Sequence, residues 1–409
     1  MRQYCEGQLM NIHEYQAKKI LSQYGIEIPR GGIAYTPGEA KRVAAEVSKR
    51  GPWMLKSQIQ SGARKRGYFL EKEAGRGGGI RLVKSRRDIL PEAEQMLGST
   101  LVTVQTGPKG KQVSRIYVEA YNKVKQIFYA GLVIDRMLPA LTLLIAEVGT
   151  EDIASMALST PEKILKVRLD WESGATPEQI QEIMSFLKLP VRSAASLETL
   201  VNGLHRAFID YDATMIEINP VGVHRNGSLV ALDAKMSFDE NALYRHPEIT
   251  RLEDEYEEDD HEIQAKKFGF TYCDFDGSIG CIVNGDGIAM AALDLLRNKG
   301  SGMACFLNVK GGVDKDKIAS GIKIIMTNPR VEGILINILG GFLRCNLIAE
   351  GIISAAAEVG LNVPLVVRFE GTNKDEAKDI LEHSKLPIVI AEDMESAVDI
   401  LIKAVEESD

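Results

Sequence analysis

Residues 277–312 read GSIGCIVNGDGIAMAALDLLRNKGSGMACFLNVKGG. An apolar run ends in glycine at Gly285, an amphipathic stretch follows to Gly300, and a second apolar run ends at Gly311-Gly312. Apolar strands separated by helices imply a parallel sheet covered on both faces. The alternation continues through GILINILGG, CNLIAEGIISAAAEVG, PLVVRFEG and PIVIA, so this part of the chain is predicted to be α/β. The first four strands all end in glycine, at Gly285, Gly311-Gly312, Gly340-Gly341 and Gly371. Ligands bind at the carboxyl ends of such strands, against free N–H groups of helix amino termini. The row of strand-end glycines therefore predicts an anion site.

Upstream lies LEDEYEEDDHEIQAKK (252–267), acidic and without a core pattern, which is expected to be an interdomain segment with a solvated face. Before it, residues 215–239 read MIEINPVGVHRNGSLVALDAKMSFD. Asn226-Gly227 tolerates the positive φ of a tight turn, so two strands meeting in a hairpin are predicted. A period of two puts Glu217 and Asn219 on one face, and the turn brings Asp233 beside Asn219 to within one residue of register. Two carboxylates and an amide oxygen on one face suit a hard divalent cation. Mg²⁺ takes one or two carboxylates and leaves its other positions to water and phosphate. A polar, solvent-facing hairpin is the alternative.

The amino-terminal half mixes helices and strands. One helix is predicted from Asn11 through NIHEYQAKKILSQYG to Gly25. Capping signals Thr36-Pro37-Gly38-Glu39 and Thr176-Pro177-Glu178-Gln179 start two others, and a further helix spans 196–211. Strands are read at PWMLKSQI, which carries Lys56, and at GIRLV, LVTVQT, RIYVEAY, QIFYAGLVIDR and ALTLLIA. The basic, glycine-punctuated stretch 61–79 is expected to be a mobile loop.

At 409 residues the chain exceeds one ordinary core, and two or three domains are expected, divided as 10–250, an acidic segment 251–275, and 276–409. A hydrophobic content of 45% with 26% charged residues is that of a globular protein, and the net charge of -8 argues against nucleic acid or an anionic membrane as partner. Five cysteines without C-x-x-C spacing point to reduced, buried thiols. The stretch MRQYCEGQL has neither a signal peptide's apolar core nor a transit peptide's arginine-rich character. Bacterial cytoplasm is expected ahead of a mitochondrial matrix.

IEINP (216–220), LDAK (232–235), NIHEYQAK, GSIGCIVNGDGIAM (277–290) and NILGGFLRCNLIAEG (337–351) together resemble the β subunit of succinyl-CoA synthetase (succinate–CoA ligase) from Met10 onward. The resemblance implies an ATP-grasp domain followed by a flavodoxin-like CoA-ligase domain. It also implies ATP or GTP and CoA as substrates, Mg²⁺ as cofactor, and an α subunit that binds CoA and carries a phosphorylated histidine, in an αβ or α2β2 assembly. Carried over residue by residue, Lys56 holds nucleotide phosphates, with Ala63, Arg64 and Lys65 in the lid. Glu119 and the backbone around Asn122 lie near the adenine; Asn219 and Asp233 hold Mg²⁺, with Glu217 close by. Asn284 and the backbone of Gly341, Phe342 and Leu343 bind the carboxylate substrate, and the helix starting near Arg344 faces the phosphohistidine. From the residues alone, Lys56 also fits a strand-end solubiliser and Glu119 a partner for a surface lysine.

The sequence departs from the family near these positions. The usual glycine-rich lid is Gly62-Ala63-Arg64-Lys65-Arg66-Gly67, and Ile127 and Ala146-Glu147-Val148-Gly149-Thr150 replace more polar or glycine-rich runs. Asp286 stands where a small residue is usual and is expected to repel phosphate; Lys310 replaces a glycine, and Asn308 and Asn346 each replace an aspartate. LDAKMSFDENAL also resembles malate–CoA ligase β subunits, so malate is an alternative substrate, and a divergent non-catalytic subunit is an alternative of another class.

Overall fold

The computed structural model describes residues 9–135, 140–147, 153–257, 259–309, 314–341 and 343–408. It divides into two compact units, Leu9–Glu257 and Glu258–Asp409.

The first unit is built on an antiparallel sheet in the order Leu9–Asn11, Lys235–Asp239, Ala213–Val223, Gln126–Asp135, Ala140–Ala146, Ile164–Leu169. Helices Glu14–Gln23, Pro177–Phe186 and Ala194–Asp210 cover one face through Leu21, Ile183 and Leu204, all fully buried. A second antiparallel sheet runs Gly31–Ala34, Ile116–Ala120, Trp53–Ser57, Ile80–Val83 and packs on helices Pro37–Val47 and Ile89–Met96. Thr36 caps the first of these from Oγ1 at 3.2 Å, and a full capping box at Thr176 starts Pro177–Phe186, as the sequence predicts.

Three expectations are corrected here. The first helix begins at Glu14, because residues Leu9–Asn11 pair as a strand with Lys235–Asp239. The stretch 61–79 is not a bare loop. Arg64, Phe69 and Ala74 are buried, the Arg81 guanidinium lies 5.4 Å from the Phe69 ring centroid, and Gly79 is bonded to both Arg64 and Ser57. Its glycines are there for close approach: a Cβ on Gly78 would sit 2.3 Å from the Lys65 carbonyl oxygen. The acidic segment carries core contacts at both ends. Asp254 is buried against His13 and Arg115, each at 2.7 Å, and Ala265 is fully buried in the helix Asp260–Lys267.

The second unit has five parallel strands, Ile279–Val283, Met303–Asn308, Gly333–Gly340, Leu365–Gly371 and Ile388–Ile390. Their spatial order is second, first, third, fourth, fifth, the flavodoxin-like arrangement. An antiparallel strand the sequence reading missed, Thr271–Asp274, extends the edge beside the second. Period-two alternation divides the core: Ile334, Ile336 and Ile338 face helices Lys315–Met326 and Cys345–Val359, and Leu335 faces Asp286–Asn298 and Met394–Glu406. Cys273, Cys281, Cys305 and Cys345 are buried in this unit, and burial pushes the Cys305 thiol up to about 12. No helix among the described residues is long and apolar enough to cross a membrane.

Candidate active site

The hairpin forms around Asn226-Gly227, with Gly227 at φ +93°, and pairs Val221 with Ala231. Beyond a break in the return strand, Lys235 pairs with Glu217 in the same register. Asn219 therefore stands opposite Asp233 by register, as predicted, with Asp233 in the gap between strands Leu229–Ala231 and Lys235–Asp239. Glu217 lies two residues before Asn219 and accepts from its Nδ2 at 3.2 Å. The break also frees the Leu232 carbonyl from strand pairing, and that oxygen becomes an acceptor for two lysines.

Those lysines belong to a network of six charged side chains from five segments of the chain, all of them buried except the part-exposed Asp233. Lys56, on the central strand Trp53–Ser57, donates from Nζ to Glu14 at 2.7 Å and to the Leu232 carbonyl at 2.6 Å, and pairs with Glu119 at 2.6 Å. Lys18 donates to the same three groups: Glu14 at 2.8 Å, Glu119 at 2.7 Å and Leu232 at 2.7 Å. Arg64 donates to the Ser57 carbonyl at 2.9 Å, to Glu14 at 2.8 Å and to Asp233 at 2.6 Å. Three cations thus face three anions. Burial alone would raise the Glu14 carboxyl, but Lys18, Lys56 and Arg64 outweigh it and hold Glu14 well below the usual carboxylate range. Burial likewise opposes the charge on Lys18, and Glu119, Glu14 and Asp233 more than reverse this.

The structure thus brings together Lys56, Arg64, Glu119 and Asp233 from the predicted set. Glu119 pairs with two buried lysines rather than a surface one, and both of its oxygens are engaged. Lys65 is exposed, Ala63 adopts φ +57° at the start of the short helical turn Arg64–Arg66, and Asn122 bonds to the Ala120 carbonyl at 3.0 Å, outside the network. Sequence reading missed Glu14 and Lys18. The one signal for them was their i, i+4 spacing on a helix that also presents apolar residues to the core. For a hard cation the donors fit: Asp233 offers a carboxylate to a positive group, here the Arg64 guanidinium, with the Asn219 amide opposite.

In the second unit the carboxyl ends of the strands are drawn together by glycine. A Cβ on Gly371, at φ +114°, would fall 2.0 Å from the Gly340 carbonyl oxygen. Asn284 was expected to bind substrate, but its amide ties two strand ends, donating to the Leu339 carbonyl at 2.6 Å and accepting from its N–H at 2.8 Å. The Leu343 side chain is buried in the core and Gly341 is exposed; Phe342, Lys310, Gly311-Gly312 and Val148-Gly149-Thr150 lie outside the described residues. Arg344 is exposed at the N-cap of helix Cys345–Val359, where the sequence placed it. Asp286 is exposed at the start of its helix. It accepts from Asn308 Nδ2 at 2.8 Å, so two departures from the family pattern are one interacting pair.

A nucleotide-type cluster of cations beside a carboxylate–amide hairpin, followed by a flavodoxin-like unit, defines the class of ATP-grasp CoA ligases. The ATP-grasp domain family matches residues 11–223 and the CoA-ligase family residues 282–402. The chain is 45% identical over 400 residues to succinate–CoA ligase [ADP-forming] subunit beta of Rhodospirillum rubrum, covering 98% of this chain and 100% of that protein. It is 47% identical over 398 residues to the protein of the same name from Paracoccus denitrificans, with 97% and 100% covered. The fold is similar to that of an ATP citrate lyase from Methanothrix soehngenii, at a TM-score of 0.69 and 16% identity over 97% of this chain and 100% of that one. The chain belongs to the family of succinate–CoA ligase β subunits.

Proposed function

We propose that this chain is the β subunit of an ADP-forming succinate–CoA ligase and that its first unit carries the nucleotide chemistry. The observation that carries the reading is the meeting of Lys56 and Arg64 on the buried Glu14, with Asp233 on the other side of Arg64, in a chain similar over nearly its whole length to proteins of that name. The reaction joins succinate and CoA at the expense of ATP, giving succinyl-CoA, ADP and phosphate. A carboxylate oxygen is a poor leaving group for a thiol, and phosphorylation turns it into a good one.

Lys56 and Arg64 hold the phosphates as fixed positive charges, with the lid residues Ala63 and Lys65 beside them and the loop at Asn122 near the base. Glu119 acts on the nucleotide through the lysines it holds. Asn219 and Asp233, with Glu217 behind them, are the residues that would hold Mg²⁺, which when bound neutralises phosphate charge. In the second unit the backbone at Gly341 and Leu343 and the helix behind Arg344 offer donors to an anion; a helix amino terminus favours a negative group by ~0.3–2 kcal/mol. Asn284 keeps two strand ends in place for them. None of the six histidines of the chain lies in a glycine-rich loop, so the phosphoryl carrier belongs to an α subunit, and the functional unit is αβ or α2β2 in the bacterial cytoplasm.

The test is a coupled assay of the co-expressed αβ complex, together with transfer of the radiolabelled γ-phosphate of ATP to the α subunit. Labelled α subunit and succinate-dependent thioester formation are expected. Turnover of malate in place of succinate would change the substrate; absence of label would reduce the chain to a binding subunit.

A further inference from the structure

Lys56 presents a difficulty for its own role. An ammonium has three N–H donors, and the three acceptors around Lys56 are Glu14, Glu119 and the Leu232 carbonyl, all within 2.7 Å. To reach a phosphate it must leave at least one of them. A buried carboxylate left without its partner is costly, because the desolvation already incurred is no longer offset.

Lys18 removes the difficulty. It reaches the same Glu14 oxygen, the other Glu119 oxygen and the same Leu232 carbonyl, and its side chain is 0% exposed against 6% for Lys56. Its ammonium also lies 5.3 Å from the centroid of the Tyr117 ring. Two ammonium groups thus share one set of acceptors, and one can depart without stranding either carboxylate. We infer that Lys18 is a positioning residue: the fixed counter-ion of Glu14 and Glu119, which sets Lys56 free to exchange carboxylates for the phosphates of a nucleotide. Arg64 is placed for the same exchange, because its bond to Asp233 occupies the carboxylate that a metal would take. The inference rests on the nucleotide-site reading above, with Lys56 as the phosphate ligand.

The experiment uses the co-expressed αβ complex and measures the dissociation constant of Mg–ADP by calorimetric titration, with KM for succinate beside it. Lys18→Met should raise the Mg–ADP constant by on the order of tenfold, the effect of losing one hydrogen bond to a charged group, and leave the succinate KM unchanged. Lys18→Arg should stay close to wild type. The double variant Glu14→Gln/Lys18→Met should recover part of the loss, because Lys56 then has one carboxylate fewer to satisfy. Wild-type Mg–ADP affinity in Lys18→Met overturns the inference, and so does a double variant no better than the single one, which would mark a packing effect. Should Lys18→Met not fold, a crystal structure of the wild-type complex with Mg–ADP decides. Lys18 is expected to remain on Glu14 and Glu119 while Lys56 moves to phosphate; departure of Lys18 overturns the inference. Lys56→Ala serves as the control: if it binds Mg–ADP as tightly as wild type, the nucleotide-site reading itself fails, whatever Lys18 does.

Discussion

Glu14 gathers Lys18, Lys56 and Arg64 on one carboxylate, from positions 4, 42 and 50 residues away in the chain. If Lys56 holds the phosphates, Lys56→Met should lower kcat about 10²–10³-fold, comparable with losing one preorganised donor at a developing charge, in steady-state assays of the complex. His13 supports the same helix start, with its backbone N–H donating to Gln16 Oε1 at 2.8 Å and its ring bonded to Asp254. Burial pulls the His13 ring below 6.5, and the Asp254 bond only partly opposes this. The unfolded chain therefore takes up that proton first. The stability contributed by neutral His13 is full above 6.5 and is lost as pH falls through its lower folded value. His13→Gln should flatten the fall in Tm between about pH 7 and pH 5, in a range where unperturbed carboxylates remain charged; an unchanged slope would assign the pH dependence elsewhere.

At the scale of elements, the helix Asp286–Asn298 and the strand Met303–Asn308 meet through Asp286 and Asn308. A carboxylate in the first helical turn is favoured by the helix dipole, and the Asn308 amide donates to it. Asn308→Asp would set two carboxylates face to face in a partly buried place and should cost about 1–2 kcal/mol in chemical denaturation. Adding Asp286→Ala should remove the repulsion, giving a coupling of about 1 kcal/mol in the double-mutant cycle. Additive effects would show that the two positions do not interact. The hairpin makes a related point. Its register follows from the turn and the alternation, whereas the break at residues 232–234, which exposes the Leu232 carbonyl, has no turn signature of its own.

For the whole molecule, hydrophobic cores that each stay within one unit predict separable unfolding of Leu9–Glu257 and Glu258–Asp409. Mg–ADP at a hundred times its dissociation constant should stabilise the first unit by about 2.7 kcal/mol and leave the second where it was. Differential scanning calorimetry of the full chain reads both transitions; an equal shift of both would mean that nucleotide is not bound by the first unit alone.

Apolar strands, helices between them and glycines at the strand ends were enough to determine a parallel α/β second unit, because its contacts repeat locally along the chain; its flavodoxin-like strand order was implied by the family resemblance and not by the pattern. The Asn226-Gly227 turn was enough to set Asn219 beside Asp233 to within one residue, and the strand pairing fixed the register. Pattern was silent where charge meets charge over long distances. Nothing local marks Glu14 or Lys18 as partners of Lys56, or shows that Arg64 in a glycine-rich stretch is buried. Those pairings exist only once the sheets and the first helix enclose them, since a buried ion needs counter-ions from whichever segments the fold brings within reach. The sequence determined which residues could do the chemistry; the tertiary structure alone decided which of them hold one another in place.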